Sequence, residues 1–209
     1  ISHPLEDMHA VGDAAAPAIA DIAGLQAALD GKASAATVLT QGPRTMWVAA
    51  ADMVARTTSG AAPGLAESAT HKVMRKTLDF DPAAPEYAQF TAVLPRNWDR
   101  GAVTLSVYWT AASGAGTVTW GARAVAVGDG DTIDIAFGGA QYRDDPLTAA
   151  GSVCIATLDP VTVAGSPAAG DLVVCQVERA PGAAADTLAV DAQLLGVLIR
   201  FNLHAPNEA

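Results

Sequence analysis

Residues 102–127, AVTLSVYWTAASGAGTVTWGARAVAV, constrain the fold of this chain more than any other stretch. In the first half Val103, Leu105, Val107 and Trp109 fall on one side, with Thr104, Ser106, Tyr108 and Thr110 on the other. In the second half Val118, Trp120, Ala122, Ala124 and Ala126 repeat the pattern against Thr117, Thr119 and Arg123. A period of two marks a half-buried strand, because successive side chains leave the backbone on opposite faces. Between the runs lie the small residues 111–116, whose glycines supply the positive φ that a tight connection needs. The two runs are expected to pair as a central β-hairpin. The stretch holds no nucleophile beside a base, no metal cluster and no phosphate loop, so it speaks to fold and not to reaction.

The same alternation recurs in shorter runs. Residues 45–48 predict one strand, and 73–80 another with Met74, Leu78 and Phe80 inward and Arg75, Thr77 and Asp79 outward. Further strands are expected over 86–94, 152–157, 161–163 and 172–179, the last with Val173, Cys175 and Val177 inward. Gly, Ser and Pro crowd 52–68, which reads as a long surface loop, and 95–101 reads as a second loop. Residues 128–146 fit a short helix or an irregular crossing. The last run, 193–203, carries Leu195, Val197, Ile199, Phe201 and Leu203 on one face and Leu194 and Leu198 on the other. Both faces of its first half then call for burial; a single sandwich covers one of them, which leaves the second as a subunit interface. Short strands at near-regular spacing with Gly and Pro between them predict a mainly β fold, an antiparallel β-sandwich of jelly-roll type over 44–209.

Ahead of it, residues 1–43 form a separate segment. Residues 1–17 show no period, whereas Ile19, Ile22, Leu25, Gln26 and Leu29 share one side of a short helix closed by Gly31. A helix this short needs a partner surface. That surface is either its own domain or further copies of the same helix meeting on an axis. Residues 34–43 read as a linker.

The net charge of -10 repels phosphate backbones and anionic lipid surfaces, which excludes nucleic acid as a partner. No run reaches the ~18 to 20 apolar residues of a membrane span, and no basic region precedes a signal-like core. The chain opens on Ile1, as a processed chain or the end of a longer polypeptide would. Cys154 and Cys175, on separate expected strands, are then expected as free, buried thiols.

Two sets of residues carry a resemblance. The segment LeuGlnAlaAlaLeuAspGlyLysAla at 25–33 resembles the LQ-x-x-LD-x-KA segments that precede the distal domains of trimeric bacteriophage fibres. In the main domain the ordered succession MetTrpVal at 46–48, ArgThrThrSerGly at 56–60, LysThrLeuAspPhe at 76–80, TyrAlaGlnPhe at 87–90, TyrTrpThrAlaAlaSerGly at 108–114 and ThrTrpGly at 119–121 is similar to a virion domain of tailed-phage fibres and of gene transfer agent head spikes. The resemblance implies a non-enzymatic, homotrimeric jelly roll that attaches a phage-like particle to host cell-surface polysaccharide. It implies assembly in the bacterial cytoplasm, display on the virion surface, and contact with other virion proteins through the N-terminal segment. Two other readings stand beside it: a polysaccharide-degrading spike enzyme, and a purely structural capsid or collar decoration protein.

Sugars are bound by an aromatic ring stacked on the pyranose with planar polar groups at its hydroxyls. Two expected loops hold that mixture: 95–101, with Trp98, Asp99, Arg96 and Arg100, and 138–146, with Tyr142, Arg143, Asp144 and Asp145. The predicted carbohydrate contacts are Trp98, Asp99, Tyr142, Arg143 and Asp144. Trp47, Trp109 and Trp120, on strand faces, are expected in the core. No catalytic residue, metal ligand or cofactor is predicted. Asp129, Asp131 and Asp134 lack the spacing of a calcium loop, His3, His9, His71 and His204 are scattered, and nothing in the pattern pairs Glu86, Glu178, Asp144 or Asp145.

Overall fold

The structure is a computed structural model and describes residues 24, 25, 27, 28 and 42–204. The segment 1–17, most of the expected helix and most of the linker lie outside the described residues. Within the helix, Leu25, Ala27 and Ala28 are helical, and the Ala28 N–H donates to the Gly24 carbonyl at 2.9 Å.

The main unit consists of β1 (Arg44–Ala49), β2 (Val54–Ala55), β3 (Ala62–Glu67), β4 (Met74–Phe80), β5 (Glu86–Val93), β6 (Thr104–Thr110), β7 (Thr117–Val127), β8 (Gln141–Pro146), β9 (Cys154–Thr157), β10 (Val163–Ala164), β11 (Leu172–Arg179) and β12 (Ala192–Phe201). They form two sheets. One runs β3-β4-β12-β6-β9, with β1 also on β12; the other runs β10-β7-β11-β5-β2, with β8 also on β7. Every pairing is antiparallel except β10 with β7. The chain crosses repeatedly between sheets, and their inner faces close on one core, which is the expected jelly-roll sandwich. Among the described residues no helix is long and apolar enough to cross a membrane.

The two runs at the centre of the sequence are strands, but they do not form a hairpin. β6 pairs with β12 and β9, while β7 pairs with β11, β8 and β10. The 111–116 connection therefore turns a corner between sheets, and the two apolar faces meet across the core. There Trp109 of β6 and Trp120 of β7 pack edge-on with ring centroids 6.1 Å apart, and Phe80 of β4 meets Trp120 at 5.1 Å. Such pairs contribute roughly 0.5–1.5 kcal/mol each beyond their buried area. Period alone identifies a strand's buried face without saying which neighbour it hydrogen-bonds.

Other expectations are corrected by local geometry. The stretch 52–68 is not one loop, because β2 and β3 lie in it; β3 is an edge strand, the position in a sheet where a proline such as Pro63 is tolerated. Residues 141–146 are strand β8, neither helix nor loop. Met74 is exposed, because β12 covers β4 only at Leu78–Phe80 and leaves the start of β4 beside β3 alone. Trp47 is half exposed on the outer face of the β12 sheet, where it pairs with Leu198; Met46 and Val48 supply the inward contacts of β1.

In β12 the register against β6 shifts between Leu194 and Gly196. A bulge at Leu195 changes the parity, so Leu194 joins Val197, Ile199 and Phe201 in the core, while Leu195 and Leu198 remain half-buried. The bulge gathers most of the apolar residues of β12 on the core side and leaves Leu195 and Leu198 as the half-buried residues of its outer face.

Candidate functional site

The outer face of the β11 sheet collects polar and aromatic side chains from four strands. In β11 Val173, Cys175 and Val177 point inward, so Gln176 and Glu178 point outward. Register then builds two adjacent rungs. One reads Tyr142, Gly121, Glu178, Tyr87 across β8, β7, β11 and β5. The next reads Arg123, Gln176, Gln89, Val54 across β7, β11, β5 and β2.

Gly121 is what shapes the first rung. A Cβ there would lie 2.5 Å from Tyr142 Cε1 and 2.9 Å from Glu178 Cγ, closer than real atoms approach. The bare backbone lets the Tyr142 ring lie across β7, and its hydroxyl donates to Glu178 Oε1 at 2.6 Å. One side of the ring is thus seated on the sheet and its end is tethered, while 49% of the residue remains exposed. The hydrogen bond to Glu178, then partial burial, raise the Tyr142 pKa above its ordinary value.

Glu178 is buried, and both of its oxygens accept from Arg123 Nη2, at 2.9 and 2.8 Å. In the second rung the Gln89 amide donates to Gln176 Oε1 at 2.9 Å. Arg56 lies 4.4 Å over the Tyr87 ring. Beyond Tyr142, Thr119 donates to Asp144 Oδ1 at 2.6 Å. The result is a strip of held planar groups: the carboxylates of Glu178 and Asp144, the guanidinium groups of Arg123 and Arg56, and the amides of Gln89 and Gln176, with the rings of Tyr142 and Tyr87 among them.

Of the residues predicted from sequence, the structure brings Tyr142 and Asp144 together on this face. Arg143, between them on β8, pairs with Trp120 and so points the other way. Asp145 also turns from the face, and its Oδ2 accepts the Trp109 indole N–H at 2.7 Å. Trp98 is a correction: only 3% of it is exposed, and it bridges to Leu203 past the end of β12, where its ring is packing and not a stacking surface. Asp99 is exposed beside it, with Oδ1 accepting the Gly101 N–H at 2.8 Å. Sequence reasoning missed Arg123, Gln176, Glu178, Gln89, Tyr87 and Arg56. The signal was present as polar residues at consecutive outward positions of interior strands, where burial demands a partner.

Among the described residues no three His, Cys, Asp or Glu side chains converge as metal ligands. Asp131 instead accepts the Gly128 N–H at 2.9 Å within its own turn.

No family model and no curated protein matches this chain. Solved structures do. The CBM36-1 domain of a multidomain xylanase from the hindgut metagenome of Trinervitermes trinervoides is similar at 12% identity over 75% of this chain and 96% of that one, with a TM-score of 0.41. The CBM22-2 xylan-binding domain from Paenibacillus barcinonensis Xyn10C is similar at 12% identity over 72% and 91%, with a TM-score of 0.42. The enzymatically active domain of bacteriophage CBA120 tailspike protein 4 is similar at 9% identity over 78% of this chain and 20% of that one, with a TM-score of 0.35. At these scores and identities none of the likenesses bears on function.

Proposed function

We propose that the protein binds carbohydrate, without transforming it, on the outer face of the β11 sheet. The observation that carries this reading is the Tyr142 ring, seated on Gly121, tethered to Glu178 and half exposed. A pyranose presents an apolar face and a rim of hydroxyls. The fixed ring receives the first, while Arg123, Gln89 and Asp144 alongside it receive the second. Because the strip is held by its own hydrogen bonds before any ligand arrives, little ordering entropy opposes binding. Binding is favoured over hydrolysis because Glu178 is committed to Arg123 and Tyr142 through both oxygens. A glycosidase needs one carboxyl free to donate a proton.

In this reading the ligand is bacterial surface polysaccharide and the protein is a fibre or head spike on the surface of a phage-like particle. The resemblance of residues 25–33 and of the motifs between 46 and 121 supports that setting. The chain then assembles as a homotrimer, residues 1–43 meet neighbouring subunits or other virion proteins, and avidity from three weak sites supplies useful affinity.

The test is binding of the purified protein to host cells and to their isolated capsule, for the parent and for Tyr142→Ala. The parent is expected to bind and release no reducing sugar, and the variant to lose at least about tenfold in affinity with an unchanged melting temperature. Undiminished binding by the variant would move the site elsewhere. Released sugar would make the protein an enzyme, and no binding by the parent would leave a decoration protein.

A further inference from the structure

The opposite face of the sandwich carries a second aromatic surface that owes nothing to Tyr142. Trp47 stands there 48% exposed, and the Tyr108 ring packs perpendicular to it, with centroids 5.1 Å apart and planes at 89°. It too rests on a glycine: a Cβ on Gly196 would lie 2.4 Å from Trp47 Cζ2 and 2.6 Å from Cη2. The Leu195 bulge brings Gly196 to that position. The rung of Trp47 is Trp47, Leu198, Ser106, Thr157, with Ser106 and Thr157 sharing a hydrogen bond at 2.8 Å.

Two residues along, the rung Thr45, Arg200, Thr104 leads into a cavity of about 250 Å³ lined by Ala102, Thr104, Pro160, Arg200, Phe201 and Asn202. That volume is below the roughly 300–1,000 Å³ of sites for drug-sized ligands, so it takes one functional group or one sugar and not a chain. Arg200 is exposed, and among the described residues its side chain makes no hydrogen bond or ion pair. Among the described residues no other charged side chain lines the cavity. A guanidinium beside an amide and a hydroxyl is complementary to a carboxylate, which it can take bidentately, and this local attraction acts against the general repulsion of a chain of net charge -10. The Trp47 ring rests on Gly196, four residues before Arg200 on β12, about 14 Å away along the strand at ~3.4 Å per residue. Two or three linked sugar units cover that span.

We propose that this face is a second saccharide site, selective for an acidic oligosaccharide in which the carboxylate of one unit pairs with Arg200 while the ring of another packs on Trp47. The site shares no residue with the Tyr142 face, so either can fail without the other.

Trp47 also supplies the readout, because Trp98, Trp109 and Trp120 are 3%, 0% and 0% exposed. Acrylamide quenching of tryptophan fluorescence therefore reports on Trp47. Tetragalacturonate and tetrameric sialic acid are titrated against the full chain, with galactotetraose as the neutral control. At least one acidic probe is expected to protect Trp47 while the neutral one does not, and protection is expected to fade toward about 0.5 M salt as the pair is screened. Arg200→Gln is expected to weaken it at least tenfold, and Tyr142→Ala to leave it unchanged. No protection by either acidic probe, equal protection by galactotetraose, or full protection in Arg200→Gln would each overturn the proposal.

Discussion

Arg179 and Asp186 form an ion pair at 2.8 Å with both side chains withdrawn from solvent, 0% and 2% exposed. Every N–H of the guanidinium is used. Nε and Nη2 donate to the Asp186 carboxylate, Nη1 donates to the Phe80 and Val190 carbonyls, and Nη2 also donates to the Leu188 carbonyl. Asp186 Oδ2 in turn accepts the Thr119 N–H at 3.0 Å. One residue pair thus joins the end of β11, the start of β7, the end of β4 and the crossing at 180–191.

Removing Arg179 leaves the Asp186 carboxylate buried without its cation and takes a donor from each of three carbonyls, while removing Asp186 leaves the guanidinium buried without its anion. Arg179→Ala is expected to cost about 3–5 kcal/mol, measured by urea unfolding at constant m-value. Asp186→Ala is expected to fall in the same range, and the double variant to lose clearly less than the sum, since the second removal relieves an unpaired charge.

Gly121→Ala tests the seat of the Tyr142 ring without touching its chemistry. The new methyl displaces the ring, at a cost of roughly 1–3 kcal/mol for overpacking. Capsule binding is expected to fall as far as in Tyr142→Ala. Tyr142→Phe keeps the ring and loses the tether to Glu178, so its binding is expected between parent and Tyr142→Ala.

The acidic corner around Arg179 sets a dependence on pH. Partial desolvation, then Asp81 and Asp79, raise the Asp191 pKa above its ordinary 3.8, and desolvation with Asp81 and Asp191 raises Glu86 above 4.5. Groups with folded pKa values above their unfolded ones bind protons more tightly in the folded state. Their contribution is therefore complete below the unfolded values and is lost as pH rises through the folded ones. At neutral pH the corner opposes folding. Asp191→Asn is expected to raise the melting temperature at pH 7, with a gain that shrinks toward about pH 4, as thermal scans across that range will show.

Cys154 and Cys175 are buried and unbridged, and burial pushes the Cys175 thiol up to about 12. A thiol without thiolate or access does not attack disulfides. Ellman's reagent at about pH 8 is expected to find no thiol in the native protein and 2 after guanidinium unfolding. None after unfolding would mean a bridge.

Legibility in the sequence followed how local each cause was. Alternation at Leu105, Val107, Trp109, Val118 and Trp120 depends on one strand and its core, and those inward faces stand as read. The partners of β6 and β7 depend on strands far away in sequence, so an apparent hairpin became a corner. QYRDDP at 141–146 is too polar to show the apolar alternation of a strand, although Gly138, Gly139 and Pro146 punctuate it; it is one because β7 offers it an edge to pair with. Tyr142 and Asp144 stand out as candidates in the sequence because the mixture of side chains that suits a sugar is compositional. Trp98 was misplaced for the same reason, since composition carries no information on burial. The polar floor of Gln176, Glu178 and Arg123 was written into strands whose inward partners drew the attention.

The place of β12 governs when this protein can fold during its synthesis. It lies inside its sheet, with β6 on one flank and β4 and β1 on the other, yet it follows all three in the chain. As the ribosome releases β1, β4 and β6 they hold no ladder bonds to one another, and the slot between them waits for the last strand. The β12 sheet therefore closes only after residue 201 has left the exit tunnel, and a nascent chain stopped short of β12 is one that chaperones and proteases would meet half open.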